Sequence, residues 1–350
     1  MRQKKQMKML GLLGLLAALP IISACAGNKG SDESRKEKMV QSVSVVQPIT
    51  GTWINLAYKD VRNKYTNPQH FDNMDPKLWT AKVRELANMG IEYLVFMEVA
   101  NEGKAYYPSK LMPWLYNDKL QSPVDAILDE AAKHGMKVFM STGWAKDQDD
   151  NLLDPVIKER QLQIMEELAS LYKNHKAFYG WYLPVEDCLC PIFAEHAVQS
   201  VNALTEKAHS LTPGKKTLIS PYGIGLSEFD HPDFEKQMAK LKVDIIAYQD
   251  EVGCVRDKFT LPRLKKNWQR MRDIHNRLNI EMWANCETFT WEEGTNDRQS
   301  ALIPAAYSRL LSQQVAASVA GVDKIISFMF GGIIEDPKSA YQLGQPVWSN

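Results

Sequence analysis

The sequence predicts a single-domain (β/α)8 TIM barrel, and three observations carry that prediction. From residue 51 onward a short β-rich run, a polar loop and an amphipathic segment recur eight times. The repeats average roughly 40 residues, which matches the length of a strand with its crossover helix and loops. No GxGxxG follows the first strand, which counts against an open dinucleotide-binding sheet.

The strand candidates are GTWINLA (51–57), IEYLVFME (91–98), MKVFMST (136–142) and FYGWYLPVE (178–186), then KTLISPY (216–222), VDIIAYQ (243–249), IEMWANCE (280–287) and DKIISFMF (323–330). Helical segments separate them. Asp75-Pro76 opens the first, Pro76 to Met89, and Gly90 closes it as a C-cap. The second, Ser122 to His134, starts on an N-cap followed by Pro123 and stops at Gly135. Further helices fit Asp154 to Lys173, Ala194 to Ser210, Pro232 to Leu241, Leu261 to Leu278 and Ala301 to Ala320. Strict alternation implies parallel strands, because each return crossover must span the sheet. After the eighth strand only GGIIEDPKSAYQLGQPVWSN remains, so the last helix is expected to be short or missing.

Ahead of the barrel, residues 1–24 read as a lipoprotein signal peptide. Arg2, Lys4, Lys5 and Lys8 form a basic start, and the apolar run Leu10 to Leu19 is too short for a typical membrane span. Ile22 to Cys25, ISAC, resembles a bacterial lipobox, which implies lipidation of Cys25. Residues 25–48 then form the lipidated cysteine and a polar tether, reaching roughly 25 Å as a flexible coil. The barrel domain occupies residues 49–350. The expected location is an outer membrane lipoprotein on the periplasmic or cell-surface side, anchored to the membrane through its N-terminus. Removing residues 1–24 takes away four basic residues and no acids, leaving 38 basic against 42 acidic, a net of −4. No basic run stands out in the folded region, so nucleic acid is not an expected partner.

In a barrel of this kind the chemistry lies at the carboxyl ends of the strands. Those ends carry Glu98 and nearby Asn101 on strand two, Trp144 after strand three and Glu186-Asp187 on strand four. Tyr222 follows on strand five, Tyr248, Gln249 and Asp250 on strand six, and Trp283, Asn285, Glu287 and nearby Trp291 on strand seven. Carboxylates and amides bond sugar hydroxyls, and flat rings stack on sugar C–H faces, so the set points to a carbohydrate ligand. Glycosidic hydrolysis needs two carboxyl groups, one to protonate the leaving oxygen and one as nucleophile or base. Alternation groups Trp283, Asn285 and Glu287 on one face of strand seven, and Tyr182, Pro184 and Glu186 on one face of strand four. Glu186 and Glu287 are therefore the expected catalytic pair. The other strand-end residues, including Asp250 as a possible second carboxylate, are expected to bind substrate. Asp187, of opposite parity to Glu186, reads as structural, and Tyr179 and Trp181 as packing against helices.

GWYLPVED (180–187), DIIAYQDEVG (244–253) and WANCETF (283–289) resemble a bacterial lipoprotein family catalogued as domain of unknown function 4434 and regarded as glycosidase-like. The likeness spans roughly residues 49 to 335. A glutamate after strand four and another after strand seven is also the layout of the large clan of retaining TIM-barrel glycosidases. That resemblance implies Glu186 as general acid/base and Glu287 as nucleophile. The clan usually has Asn directly before its strand-four glutamate, and here the residue is Val185.

Other chemistries fit less well. Cys188, Cys190, Cys254 and Cys286 fall on the presumed active face without CxxC or histidine spacing, so no metal site is expected. A disulfide joining Cys254 to Cys188 or Cys190 is the expectation outside the cytoplasm. No histidine closes a strand, no GxSxG elbow is present, and no cofactor is expected. Two functions remain. One is an anchored extracytoplasmic glycoside hydrolase. The other is a non-catalytic surface glycan-binding lipoprotein on the same scaffold.

Overall fold

A computed structural model of the chain describes residues 46–56, 64, 75–101, 103–114, 121–143, 153–255, 260–294, 300–336, 338–339 and 341–343. The expected leader, Cys25 and most of the tether lie outside the described residues, as does Trp144.

Eight parallel strands close into a barrel in chain order. They are β1 (Ile49–Ile54), β2 (Tyr93–Phe96), β3 (Lys137–Ser141), β4 (Phe178–Tyr182), β5 (Lys216–Ile219), β6 (Ile245–Gln249), β7 (Glu281–Glu287) and β8 (Lys324–Phe328). β8 lies along β7 from Lys324 opposite Trp283 to Phe328 opposite Glu287, and returns to β1 with Ile325 opposite Ile49. The described helices are α1 (Pro76–Asn88), α2 (Pro123–Lys133), α3 (Pro155–Tyr172), α4 (Glu195–Leu211), α5 (Phe234–Met238), α6 (Leu261–His275) and α7 (Tyr307–Ala320). Their starts follow from local chemistry. Asp75 accepts the Lys77 N–H at 2.9 Å, Ser122 the Asp125 N–H at 3.0 Å and Asp154 the Val156 N–H at 2.8 Å, each just ahead of a proline at the first helical position.

Several elements are shorter than expected at their ends. α5 covers Phe234–Met238 only. α7 begins at Tyr307, because Leu302–Pro304 instead pairs antiparallel with Phe289–Trp291 to form a hairpin beyond β7. Strand four also stops early. Pro184 has no N–H to donate to a ladder, and the Val185 N–H turns back to the Leu183 carbonyl at 2.7 Å. Glu186 thus stands on an extended rim segment four residues past the end of β4.

Among the described residues no helix follows β8; a run of turns takes its place against α1. The contact is polar and deep. Lys82 of α1, 1% exposed, reaches Glu335 at 2.7 Å, Glu85 at 3.0 Å and the Ser339 hydroxyl at 3.1 Å, with its ammonium over the Phe330 ring.

Inside the barrel the strands alternate as a half-in, half-out pattern requires. Trp53, Tyr93, Val95, Phe139, Tyr182, Leu218, Ala247, Trp283 and Ile326 fill the interior. Trp181 faces outward, its indole N–H donating to Thr212 at the end of α4 at 2.8 Å. Tyr179 does not follow it to the helix layer. It packs edge-on to Phe139 and Tyr93 with centroids 5.3 and 5.9 Å away. The cause is a register shift, with Val138 opposite Phe178 but Phe139 opposite Gly180, so one extra residue in β4 resets the alternation.

Outside β6, Tyr248 meets α6. The His275 Nδ1 lies 2.9 Å from the Ile280 carbonyl and must donate to it, so Nε2 accepts the Tyr248 hydroxyl at 2.7 Å. Burial pushes the His275 imidazole down to about 4. Below about pH 6.5 the unfolded chain therefore takes a proton that the folded chain refuses. Stability is expected to fall as pH drops from about 6.5 to about 4, by up to about 3 kcal/mol, and to lose nothing more from this group at lower pH. Urea midpoints measured across that range should flatten in His275→Gln, whose amide can keep both hydrogen bonds. Parallel losses in wild type and variant would remove His275 from the account.

Candidate active site

At the carboxyl end of β4 the chain carries Glu186, whose side chain is exposed to solvent. Gln249, the last residue of β6, donates from Nε2 to Glu186 Oε1 at 2.8 Å and to the Ser220 carbonyl at 3.0 Å. β5 ends at Ile219, just ahead of Ser220 and Pro221, and the Gln249 N–H donates to the Pro221 carbonyl at 3.2 Å. Ser220 donates its hydroxyl to the Ala247 carbonyl at 2.7 Å and accepts from Asn285 Nδ2 at 3.1 Å. A polar chain therefore runs Glu186–Gln249–Ser220–Asn285 across β4, β5, β6 and β7. Asn285 Oδ1 is buried and has no hydrogen-bond partner among the described residues.

Two residues farther along the same face, Glu287 ends β7, 5% exposed. Its Oε2 accepts the Cys254 N–H at 2.6 Å. Gly253 makes that approach possible: a Cβ there would stand 2.5 Å from the Phe289 carbonyl and 2.9 Å from Glu287 Oε2. Burial, and then the negative charge of Asp250, push the Glu287 carboxyl up to about 8. Glu251 adds to that push, while the Cys254 N–H and Arg309 oppose it. The enclosure of Glu287 therefore favours its protonated form. The two expected catalytic carboxyls occupy contrasting surroundings, one open and one enclosed.

Aromatic and acidic neighbours complete the mouth. Tyr182 is fully buried against Trp53, centroids 4.6 Å apart, and its hydroxyl is pushed well above the ordinary range by burial and by Glu186 and Glu98. It stays a neutral donor. Glu98, 1% exposed, accepts the Leu56 N–H at 2.7 Å, tying the rim after β2 to that after β1. Tyr222, 39% exposed, stands beyond β5 with burial, Asp187, Glu186 and Glu251 raising its phenol. Asn101 lies partly exposed on a small hairpin, Ala100–Asn101 with Lys104–Ala105, and Trp291 packs on Phe289 at 6.0 Å in the hairpin beyond β7. The Trp291 indole N–H is buried and has no partner among the described residues.

Three expected substrate contacts point elsewhere. Tyr248 faces α6 and is held by His275, because its neighbour Gln249 takes the inward parity. Trp283 lies in the barrel interior, about 13 Å below Glu287 at the strand's rise per residue. Its indole donates downward to Glu281 at 3.2 Å, and its ring packs on Tyr93 and Phe139. Asp250 is wholly buried behind β7, where Gln313 of α7 donates to Oδ2 at 2.5 Å and the Glu287 N–H donates to Oδ1 at 3.1 Å. The expected cysteine pairing is also corrected: the disulfide joins Cys188 to Cys190. It packs against Gly223, where a Cβ would come within 2.6 Å of Cys188 Sγ and where φ is +87°. Gly223 in turn donates its N–H to Glu251 at 2.9 Å. Asp187 lies 2.7 Å from His196 Nε2 and accepts the Cys188 N–H at 2.7 Å.

Ser220, Tyr182, the Cys254 N–H, Arg309 and Gln313 were not among the expected site residues. Ser220 and Tyr182 share the inward strand parity that singled out the others. Arg309 and Gln313 sit inside a helix with no local signal.

Comparison with known proteins agrees with this architecture. Glycosyl hydrolase DigH of Escherichia coli (strain K12) is 29% identical over 144 residues, covering 37% of this chain and 32% of DigH, so the match spans about a third of that relative's length. A crystal structure described as a "putative alpha-L-fucosidase" from Bacteroides thetaiotaomicron VPI-5482 superposes with a TM-score of 0.64 at 21% identity, covering 84% of this chain and 91% of the other. The GH5_18 protein of Streptomyces cattleya in complex with GlcNAc gives 0.51 at 13% identity, over 81% and 71%. At such identities the structural likeness establishes the barrel fold. Residues 49–341 match the family described as Domain of unknown function (DUF4434), and the chain belongs to that family.

Proposed function

We propose that this chain is a glycoside hydrolase that cleaves an oligo- or polysaccharide with Glu186 and Glu287 as its two carboxyl groups. The observation that carries the proposal is their contrast at one barrel mouth: Glu186 is exposed and bonded to Gln249, and Glu287 is enclosed, with burial pushing its carboxyl up. A pair of carboxyls whose surroundings separate their protonation states is what acid–base cleavage of an acetal requires. Glu98, Asn101, Tyr222, Gln249, Asn285 and Trp291 would contact the sugar. The glycosidase names of the similar proteins support the substrate class.

The clan layout implies Glu186 as proton donor and Glu287 as nucleophile. The burial of Glu287 favours the opposite division, with the proton on Glu287 in the unliganded protein. The pH dependence of kcat/KM separates them, because it reports the free enzyme. A fall as pH rises past about 8 makes Glu287 the donor, and a rise makes it the nucleophile.

A glycan panel assayed for both binding and cleavage tests the function itself. Wild type is expected to cleave at least one glycan, with Glu186→Gln reducing that rate by about 100-fold or more while binding persists. Binding of several glycans with cleavage of none would instead favour a non-catalytic surface glycan binder. The proposal includes an N-terminal lipid anchor at Cys25 and an extracytoplasmic location in the outer membrane. Incorporation of a fatty-acid label that Cys25→Ala abolishes would support the anchor.

A further inference from the structure

We propose that Asp250 is a positioning residue acting through Glu287: from behind β7 it holds the Glu287 backbone, and its charge sets whether the Glu287 carboxyl keeps a proton. The inference rests on the reading of Glu287 as one of the catalytic pair.

The geometry separates Asp250 from any substrate. Its carboxylate is wholly buried, and its hydrogen-bond partners belong to the loop after β6, the end of β7 and α7. Oδ1 accepts the N–H groups of Glu287 at 3.1 Å and Val252 at 3.3 Å, and Oδ2 accepts Gln313 Nε2 at 2.5 Å. The Cys286 thiol, also facing outward, is hydrogen-bonded to it. The same lattice grips Glu287 from its other side. Gln313 Nε2 donates to the Glu287 carbonyl at 3.2 Å, and Arg309 Nη2 donates to the carbonyls of Glu287 and Phe289 at 2.7 Å each. Both peptide groups of Glu287 are thereby fixed by side chains from another strand loop and a helix, so the carboxyl projects into the mouth from an immobile base.

A buried anion this close must also act through space. The groups facing the Glu287 carboxyl are Asp250 and Glu251 from the loop after β6, the Cys254 N–H from the same loop, and Arg309 from α7. Asp250 is the strongest charge among them, and it favours the protonated acid; Arg309 acts in the opposite sense. Burial pushes the Asp250 carboxyl itself up, and the Gln313 amide, the Glu287 and Val252 N–H groups and the Arg309 charge offset part of that rise. Asp250→Asn removes the charge at nearly constant shape. The Gln313 Oε1, which has no partner among the described residues, can turn to accept the new amide.

The experiment is an infrared pH titration of the full chain labelled with 13C-glutamate, so that aspartates do not report. The protonated-carboxyl band that persists above pH 6.5 is assigned to Glu287 by its loss in Glu287→Gln. In Asp250→Asn its midpoint should move to lower pH by about one unit or more. In Arg309→Met, which removes the opposing charge, the midpoint should move to higher pH. A merely structural lattice would loosen in both variants and let water in, moving both midpoints down. Downward shifts in both, or an unmoved midpoint in Asp250→Asn, overturn the proposal. If Asp250→Asn does not fold, Arg309→Met decides alone, and anything but an upward shift counts against it. No substrate is involved, so a failed glycosidase assay leaves this result standing, and a failed titration leaves the glycosidase proposal to its own test.

Discussion

Replacing Glu287 with Gln is expected to cut glycan hydrolysis by about 1,000-fold while leaving glycan affinity within a few-fold of wild type. The amide is nearly isosteric. Its oxygen can still accept the Cys254 N–H, and the Asp250 and Arg309 bonds go to the Glu287 backbone, which the substitution does not touch. What is lost is the ability to exchange a proton or to attack. Whichever half of the chemistry Glu287 performs, an amide cannot perform it. The change also removes a buried acid, so thermal stability should hold or rise slightly. Steady-state kinetics on the best substrate of the panel, beside calorimetric binding, provide the check. A loss below about tenfold would take Glu287 out of the chemistry. Asp250 could not replace it, being sealed behind the strand, and Glu98 would become the carboxyl to test.

The largest effect on stability is expected from Lys82→Ala, at about 3 to 5 kcal/mol. Lys82 is the cation of a buried cluster, and its removal leaves Glu335 and Glu85 enclosed without their ammonium. Those carboxylates also organise the tail: Glu335 accepts the N–H groups of Gly332 and Leu343, and Glu85 accepts that of Asp336. Undoing the cluster should therefore release the segment that replaces the eighth helix. Chemical denaturation measures the loss. A second variant, Lys82→Met with Glu335→Leu, should recover much of it, since apolar groups of similar volume can replace a buried ion pair. A loss under 1 kcal/mol in Lys82→Ala would mean that water already reaches the site.

The strand ladder was readable because each strand carries a run of β-branched and aromatic residues bounded by turn or cap residues, and those are local signals. Glu186 and Glu287 were readable as strand-end acids for the same reason. Parity failed where backbone events intervened. The extra residue in β4 turned Tyr179 inward, and Pro184 ended the strand ahead of Glu186. Trp283 had the right parity but the wrong depth, because alternation says which face a side chain takes and not how far down the barrel it lies. Tyr248 was legible by parity, since its neighbour Gln249 takes the inward face, whereas its partner His275, 27 positions away, was not. The Asp250–Gln313 contact spans 63 positions and was equally invisible. The disulfide followed proximity within one loop, Cys188 to Cys190, where reasoning from a shared face had favoured a longer bridge to Cys254.

The closure of the barrel has a consequence for how the chain folds as it is made. β1 finds its second partner only in β8, Gln47 is bonded to Ser318 and Val322, and α1 receives Glu335 through Lys82. Each of these contacts joins residues 47–82 to residues 318–335, at separations above 250 residues. During synthesis the edges of β1 and of α1 must wait, unpaired, until nearly the whole domain has emerged. Long-range contacts of this kind slow folding and leave strand edges open to wrong partners. A ribosome-bound chain ending before residue 324 should therefore remain protease-sensitive throughout, and the domain should acquire resistance in one late step.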